Sequence, residues 1–119
     1  MVSNGGRTDP SGFEKLQGLY QIAIEQEGAI LEFLSEQGWL YPMLFEAPER
    51  ISQIFGADAK TALELERAPD EGWEELFVVV KTNLPAEEGV RRTRQIIDDW
   101  FAEQVAGRKC LINLVEEPI

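Results

Sequence analysis

Two hydrophobic rhythms run along this chain of 119 residues, and each marks a different kind of element. From Trp73 to Thr82 the sequence reads WEELFVVVKT, a block of β-branched and aromatic residues with no helical spacing. Such side chains are restricted in a helix and pack well on a pleated surface. Alternation places Leu76, Val78 and Val80 on one face and Phe77, Val79 and Lys81 on the other. Upstream, Thr61 to Arg67 alternates Leu63 and Leu65 with Glu64 and Glu66, the pattern of a strand with one wet face. Between the two lies Ala68-Pro69-Asp70-Glu71-Gly72. Pro69 suits the second position of a turn and Gly72 can take a positive φ, so the segment predicts an antiparallel hairpin.

Helical spacing flanks the hairpin on both sides. Phe13, Leu16, Tyr20, Ala23, Ile30, Phe33 and Leu34 follow one stripe, widened by Leu19, Ile22 and Ile24. With a capping box at Ser11 and Glu14 and a stop at Gly38, this predicts a first helix over 13–37. A shorter helix is predicted from Pro48, with Ile51, Ile54 and Phe55 as its apolar face, to Gly56. A third, over 84–106, opens on Leu84-Pro85-Ala86-Glu87-Glu88 and buries Val90, Ile97, Phe101 and Val105, with Ile96 and Trp100 beside them. The last strand is predicted over Cys110 to Glu116. It either runs parallel to Trp73–Thr82 or sits beyond Thr61–Arg67. The expected fold class is α+β in the order α-α-β-β-α-β, a small three-stranded sheet covered by helices. One domain is expected over 13–119, after a flexible tail over 1–12.

Trp39 to Phe45 fits neither rhythm. Apart from Pro42, every residue in it is large and apolar, and none is charged. Pro42 argues against a helix interior and against a central strand, which leaves an apolar loop. Such a loop either plugs the core or is held for a partner. Trp39, Leu40, Tyr41, Met43, Leu44 and Phe45 are therefore the candidate partner-binding residues.

Charge narrows the function classes. Acids outnumber bases 22 to 11, for a net charge of −11 and a pI near 4.4. Nucleic acid and anionic membranes are poor partners for such a surface, while a basic protein suits it. Arg91, Arg92 and Arg94 sit four residues from Glu87, Glu88 and Asp98, so local ion pairs are expected to answer them. No apolar run is long enough to span a bilayer. The lone Cys110 has no intrachain disulfide partner, which agrees with a cytoplasmic setting. Its position before Ile112 and Leu114 predicts a buried strand residue, the alternative being a thiol activated by Arg108 and Lys109.

Evidence for catalysis is thin. The sequence has no histidine, no phosphate-binding glycine loop and no nucleophile elbow around Ser3, Ser11, Ser35 or Ser52. Asp98-Asp99 and Glu64/Glu66 are the best carboxylate candidates. Neighbouring helix residues diverge by about 100°, so Asp98 and Asp99 do not converge, whereas Glu64 and Glu66 share a strand face and need further ligands to hold a hard cation. No cofactor is implied. The expectation is a non-enzymatic interaction protein, a homodimer or the binder of a protein partner, in an immunity, antitoxin, chaperone or adaptor role. The alternative is a small carboxylate-based enzyme or a divalent-cation or ligand-binding domain.

The segments LELER, PDEG, WEELFVVVKTNLPAEEG, IDDWF and LINLVEE resemble small bacterial α+β proteins. These follow a β-hairpin with a Leu-Pro-x-Glu-Glu helix start, an acidic-Trp pair and a final short strand. Over Ala62 to Glu117 the resemblance implies a hairpin, a helix and a third strand. It implies no activity and assigns no binding residue.

Overall fold

The computed structural model describes residues 10–68 and 70–119. In chain order it contains α1 (Pro10–Leu19), β1 (Gln21–Ile22), a 3-10 turn (Ile24–Gln26), α2 (Glu27–Glu36), α3 (Leu40–Phe55), β2 (Lys60–Ala68), β3 (Trp73–Thr82), α4 (Ala86–Ile96) and β4 (Leu111–Pro118). A π turn (Ile97–Phe101) and a last short turn (Ala102–Val105) extend α4. The class is α+β. The first nine residues of the expected tail, the side chain of Ser11 in the expected capping box, and the turn role of Pro69 lie outside the described residues.

The hairpin forms where the alternation places it. Leu63 faces Val78 and Leu65 faces Leu76 across the antiparallel β2–β3 pair. Its turn closes through the amides of Glu71 and Gly72 on the Ala68 carbonyl, at 2.9 and 2.8 Å. Gly72 has φ 76°, the left-handed conformation that favours glycine. The sheet has four strands in the order β1-β2-β3-β4, not three. β4 runs parallel to β3 and β1 parallel to β2, so the hairpin strands are central.

The fourth strand comes from a break in the expected first helix. The chain leaves the helix after Leu19, runs extended through Gln21 and Ile22 beside Ala62 and Leu63, and re-enters helix at Glu27. Pairing with the edge of β2 outweighs local helical spacing here. The Gln26 side chain continues that pairing, accepting the Leu65 amide at 3.1 Å and donating to the Leu65 carbonyl at 2.8 Å. As a result Leu19 is 42% and Ile24 84% exposed, so neither widens the buried stripe.

A second correction concerns residues 39–48. Trp39–Phe45 is not a loop, and Pro48 does not begin a helix; α3 runs unbroken through both. Pro42 sits in the first turn, where backbone amides have no intrahelical acceptor in any case. Pro48 lies inside the helix and cannot donate to the Leu44 carbonyl. The buried Tyr20 hydroxyl supplies the missing donor, bonding Leu44 O at 2.7 Å. Burial pushes the Tyr20 phenol well above its ordinary pKa, which keeps that donor protonated. Leu40, Met43, Leu44, Ala47, Ile51 and Phe55 form the buried face of α3.

α4 departs from its expected stripe at Val90, which is 56% exposed. Residue 89 faces inward instead, and the Glu116 carboxylate packs into the space that a Cβ there would occupy. Thr82, the buried polar residue of the sheet, donates to that carboxylate at 2.6 Å and accepts the Leu84 amide at 3.2 Å. Further on, the wider π turn lets the consecutive Trp100 and Phe101 both reach the core, alongside Ile96. The expected ion pairs are partly rearranged. Arg91 and Arg92 both converge on Glu88, whose pKa drops to about 2 chiefly through the hydrogen bond from Arg91 and then that from Arg92. Arg92 also donates to Ile54 O at 2.7 Å, satisfying a carbonyl in the last turn of α3.

Candidate interaction surfaces

One continuous core joins the helices to one face of the sheet: Leu63 and Leu65 of β2, Leu76, Val78 and Val80 of β3, and Leu114 of β4. The alternate residues make the opposite face and stand apart from that cluster. In register across β2, β3 and β4 they are Ala62–Val79–Val115, Glu64–Phe77–Asn113 and Glu66–Glu75–Leu111. Ala62 and Val79 are buried, Phe77 and Val115 are half-buried, and Leu111 is 48% exposed. Trp73 ends the face, its indole donating to Glu71 at 2.7 Å. Among the described residues the accessible apolar part of this face is thus Phe77, Val115 and Leu111, beside Glu64, Glu66 and Glu75.

Glu66 lies directly opposite Glu75 in the antiparallel pair. Directly opposed side chains stand ~5 Å apart at Cβ, where like charges destabilise. No basic residue answers either carboxylate in the ion pairs of the described residues. Lys60 and Lys81, the bases of this face, lie at its other end.

Of the candidate partner-binding residues, Leu40, Met43 and Leu44 face the core, while Trp39, Tyr41 and Phe45 are half-buried. The Arg108 guanidinium stacks over Trp39 at 4.4 Å from the ring centre, and the Lys15 ammonium lies 5.9 Å from that of Phe45. What this segment leaves partly exposed is therefore the Tyr41–Phe45 ring pair beside Lys15 and, separately, Trp39 beneath Arg108.

Among the described residues, no group of three or more Cys, Asp or Glu side chains is placed to hold a metal ion. Glu64 and Glu66 share a face as expected, without a third ligand, and Asp98 and Asp99 are both exposed. Cys110 lies just before β4, half-buried against the core. Burial pushes its thiol up, outweighing the backbone hydrogen bond and Arg108, both of which lower it. That is the reverse of an activated nucleophile.

A groove of about 470 Å³ runs between α4 and β4, lined by Val90, Thr93, Arg94 and Ile97 above and by Leu114, Val115 and Glu116 below. Because its floor takes residues from both faces of β4, it lies along the outer edge of that strand. No helix among the described residues is long and apolar enough to cross a membrane. No family model, no curated protein and no solved structure matches this chain.

Proposed function

We propose that this domain acts by binding protein rather than by catalysis, and that its open sheet face docks a basic segment of a partner. The observation that carries this reading is the Glu66–Glu75 opposition beside the half-buried Phe77. Two glutamates placed opposite each other in a ladder add nothing to the stability of the fold, whereas a lysine or arginine delivered by a partner gives both a counter-charge. Phe77, Val115 and Leu111 add apolar contact area beside the same carboxylates, an arrangement of apolar middle and polar rim. The net charge of −11 favours encounter with a basic surface. The half-buried Tyr41–Phe45 pair beside Lys15, and Trp39 beneath Arg108, are the second docking surface in this reading, suited by those bases to a different, acidic contact.

Glu75→Lys tests the reading by separating stability from binding. The substitution places a lysine opposite Glu66 and is expected to stabilise the isolated domain by about 0.2–1 kcal/mol, measured by urea denaturation. The same variant, immobilised beside the wild type and exposed to extract of the source cell, is expected to lose the basic protein that the wild type retains. Retention by the wild type should also fall as salt is raised. Capture of the same proteins by both chains would remove the open face from the account.

A further inference from the structure

We propose that the outer edge of β4 pairs antiparallel with β4 of a second copy, joining two sheets into one. This contact uses the backbone edge of β4 and borders the face that takes the basic partner, sharing Leu111 and Val115 with it. The two ends of the sheet are treated differently. At the β2 end, β1 covers Ala62 and Leu63, and the Gln26 amide takes both backbone groups of Leu65. β4, residues Leu111–Pro118, has a neighbour only on its β3 side among the described residues. A long strand edge left open is a template for another strand.

The sequence of this edge is complementary to itself in one orientation. With a two-fold axis at Asn113, Leu111 of each copy meets Val115 of the other, Ile112 meets Leu114 and Cys110 meets Glu116, while Lys109, two residues ahead of the strand, is brought to the side of Glu117. The two central pairs oppose apolar to apolar, one on each face, and the flanking charges Lys109 and Glu117 are of opposite sign. Parallel pairing in register would instead set like charges together. Lys109 and Glu117 are exposed, and neither joins an ion pair among the described residues. The rim above the edge is mixed: the exposed Val90 and the half-buried Ile97 line the groove that a second strand would enter, together with Thr93 and Arg94. Leu114's amide now donates to Asn113 Oδ1 at 2.8 Å, so the Asn113 side chain sits where the axis would pass and must turn aside on pairing. Joined this way, the two open sheet faces become one larger docking surface.

A charge-swap series read by sedimentation equilibrium tests the contact. The wild type is expected to be a dimer at ~100 µM. Lys109→Glu and Glu117→Lys each place like charges at two symmetry-related positions, and each should raise the dimer dissociation constant about tenfold. The double variant should restore the wild-type value, with unchanged circular dichroism throughout. A monomeric wild type at that concentration overturns the proposal and leaves the edge to a strand from another protein. A dimer indifferent to all three variants also overturns it, because the contact then lies elsewhere. Capture of a basic partner through the open face is read separately, so loss of the dimer and loss of that partner remain distinguishable.

Discussion

Leu40→Asp is expected to abolish cooperative folding, while Phe45→Ser leaves a folded protein. The two positions are five residues apart in the same apolar segment, but Leu40 is fully buried and Phe45 is only half-buried. Removing a buried leucine side chain alone costs about 2–5 kcal/mol. An aspartate in its place has no partner in the core around Leu40, which adds the cost of an unpaired polar group or of its neutralisation. Against a total stability of about 5–15 kcal/mol for a domain of this kind, the sum is close to everything available. Phe45 is half-buried at the border of the core, its ring centre 5.9 Å from that of Tyr41, so its loss should cost about 1–2 kcal/mol. Thermal unfolding followed by circular dichroism separates the two outcomes. A folded Leu40→Asp would mean that α3 does not seat this face against the core.

The second large effect concerns a carbonyl left without its helical donor. Tyr20→Phe removes the hydroxyl that serves Leu44 O, and Pro48 prevents the helix from serving it instead. Leaving that buried acceptor unsatisfied should cost about 1–3 kcal/mol. Pro48→Ala restores a backbone amide one turn below Leu44, so in its presence the same tyrosine substitution should cost less. A double-mutant cycle by urea denaturation is then expected to show coupling of about 1 kcal/mol or more between residues 20 and 48. Strict additivity would mean that the two groups do not serve the same carbonyl.

This pair also shows what the sequence could and could not convey. Residues Leu40, Met43, Leu44, Ala47, Ile51 and Phe55 keep helical spacing in α3, but only the part after Pro48 was legible as helix. Pro42 and Pro48 disguised the rest, because a proline argues locally against helix, whereas Pro42 falls where the helix needs no donor and Tyr20 offsets Pro48 from 24 residues away. The hairpin was legible because alternation, β-branching and turn residues all agree between Leu63 and Val80. The break after Leu19 was not legible. It depends on the edge of β2 recruiting Gln21, Ile22 and the Gln26 side chain, contacts some 40 residues distant that no local pattern encodes.

Of the candidate site, the acidic strand face of Glu64 and Glu66 was visible as alternation, but its meaning was not. Only the register places Glu75 opposite Glu66 and sets Leu111 and Val115 beside Glu75 and Val79 to complete an apolar strip. The free edge of β4 likewise follows from strand order, which spacing alone left open between two arrangements. The aromatic residues Trp39, Tyr41 and Phe45 drew attention as sequence, and half of that apolar segment turned out to be spent on the core.

The three tryptophans report on three separate regions, which permits one direct test. Trp73 ends the open sheet face, Trp39 begins α3 beneath Arg108, and Trp100 is buried in the π turn with its indole nitrogen unpaired among the described residues. In a nitrogen-15 spectrum each gives its own indole N–H resonance. When the labelled protein is titrated with the basic partner that it captures, the Trp73 resonance should shift or broaden while those of Trp39 and Trp100 stay in place. Movement of Trp39 with Trp73 unchanged would contradict the account, and would place recognition on the aromatic residues at the start of α3 instead of the open sheet.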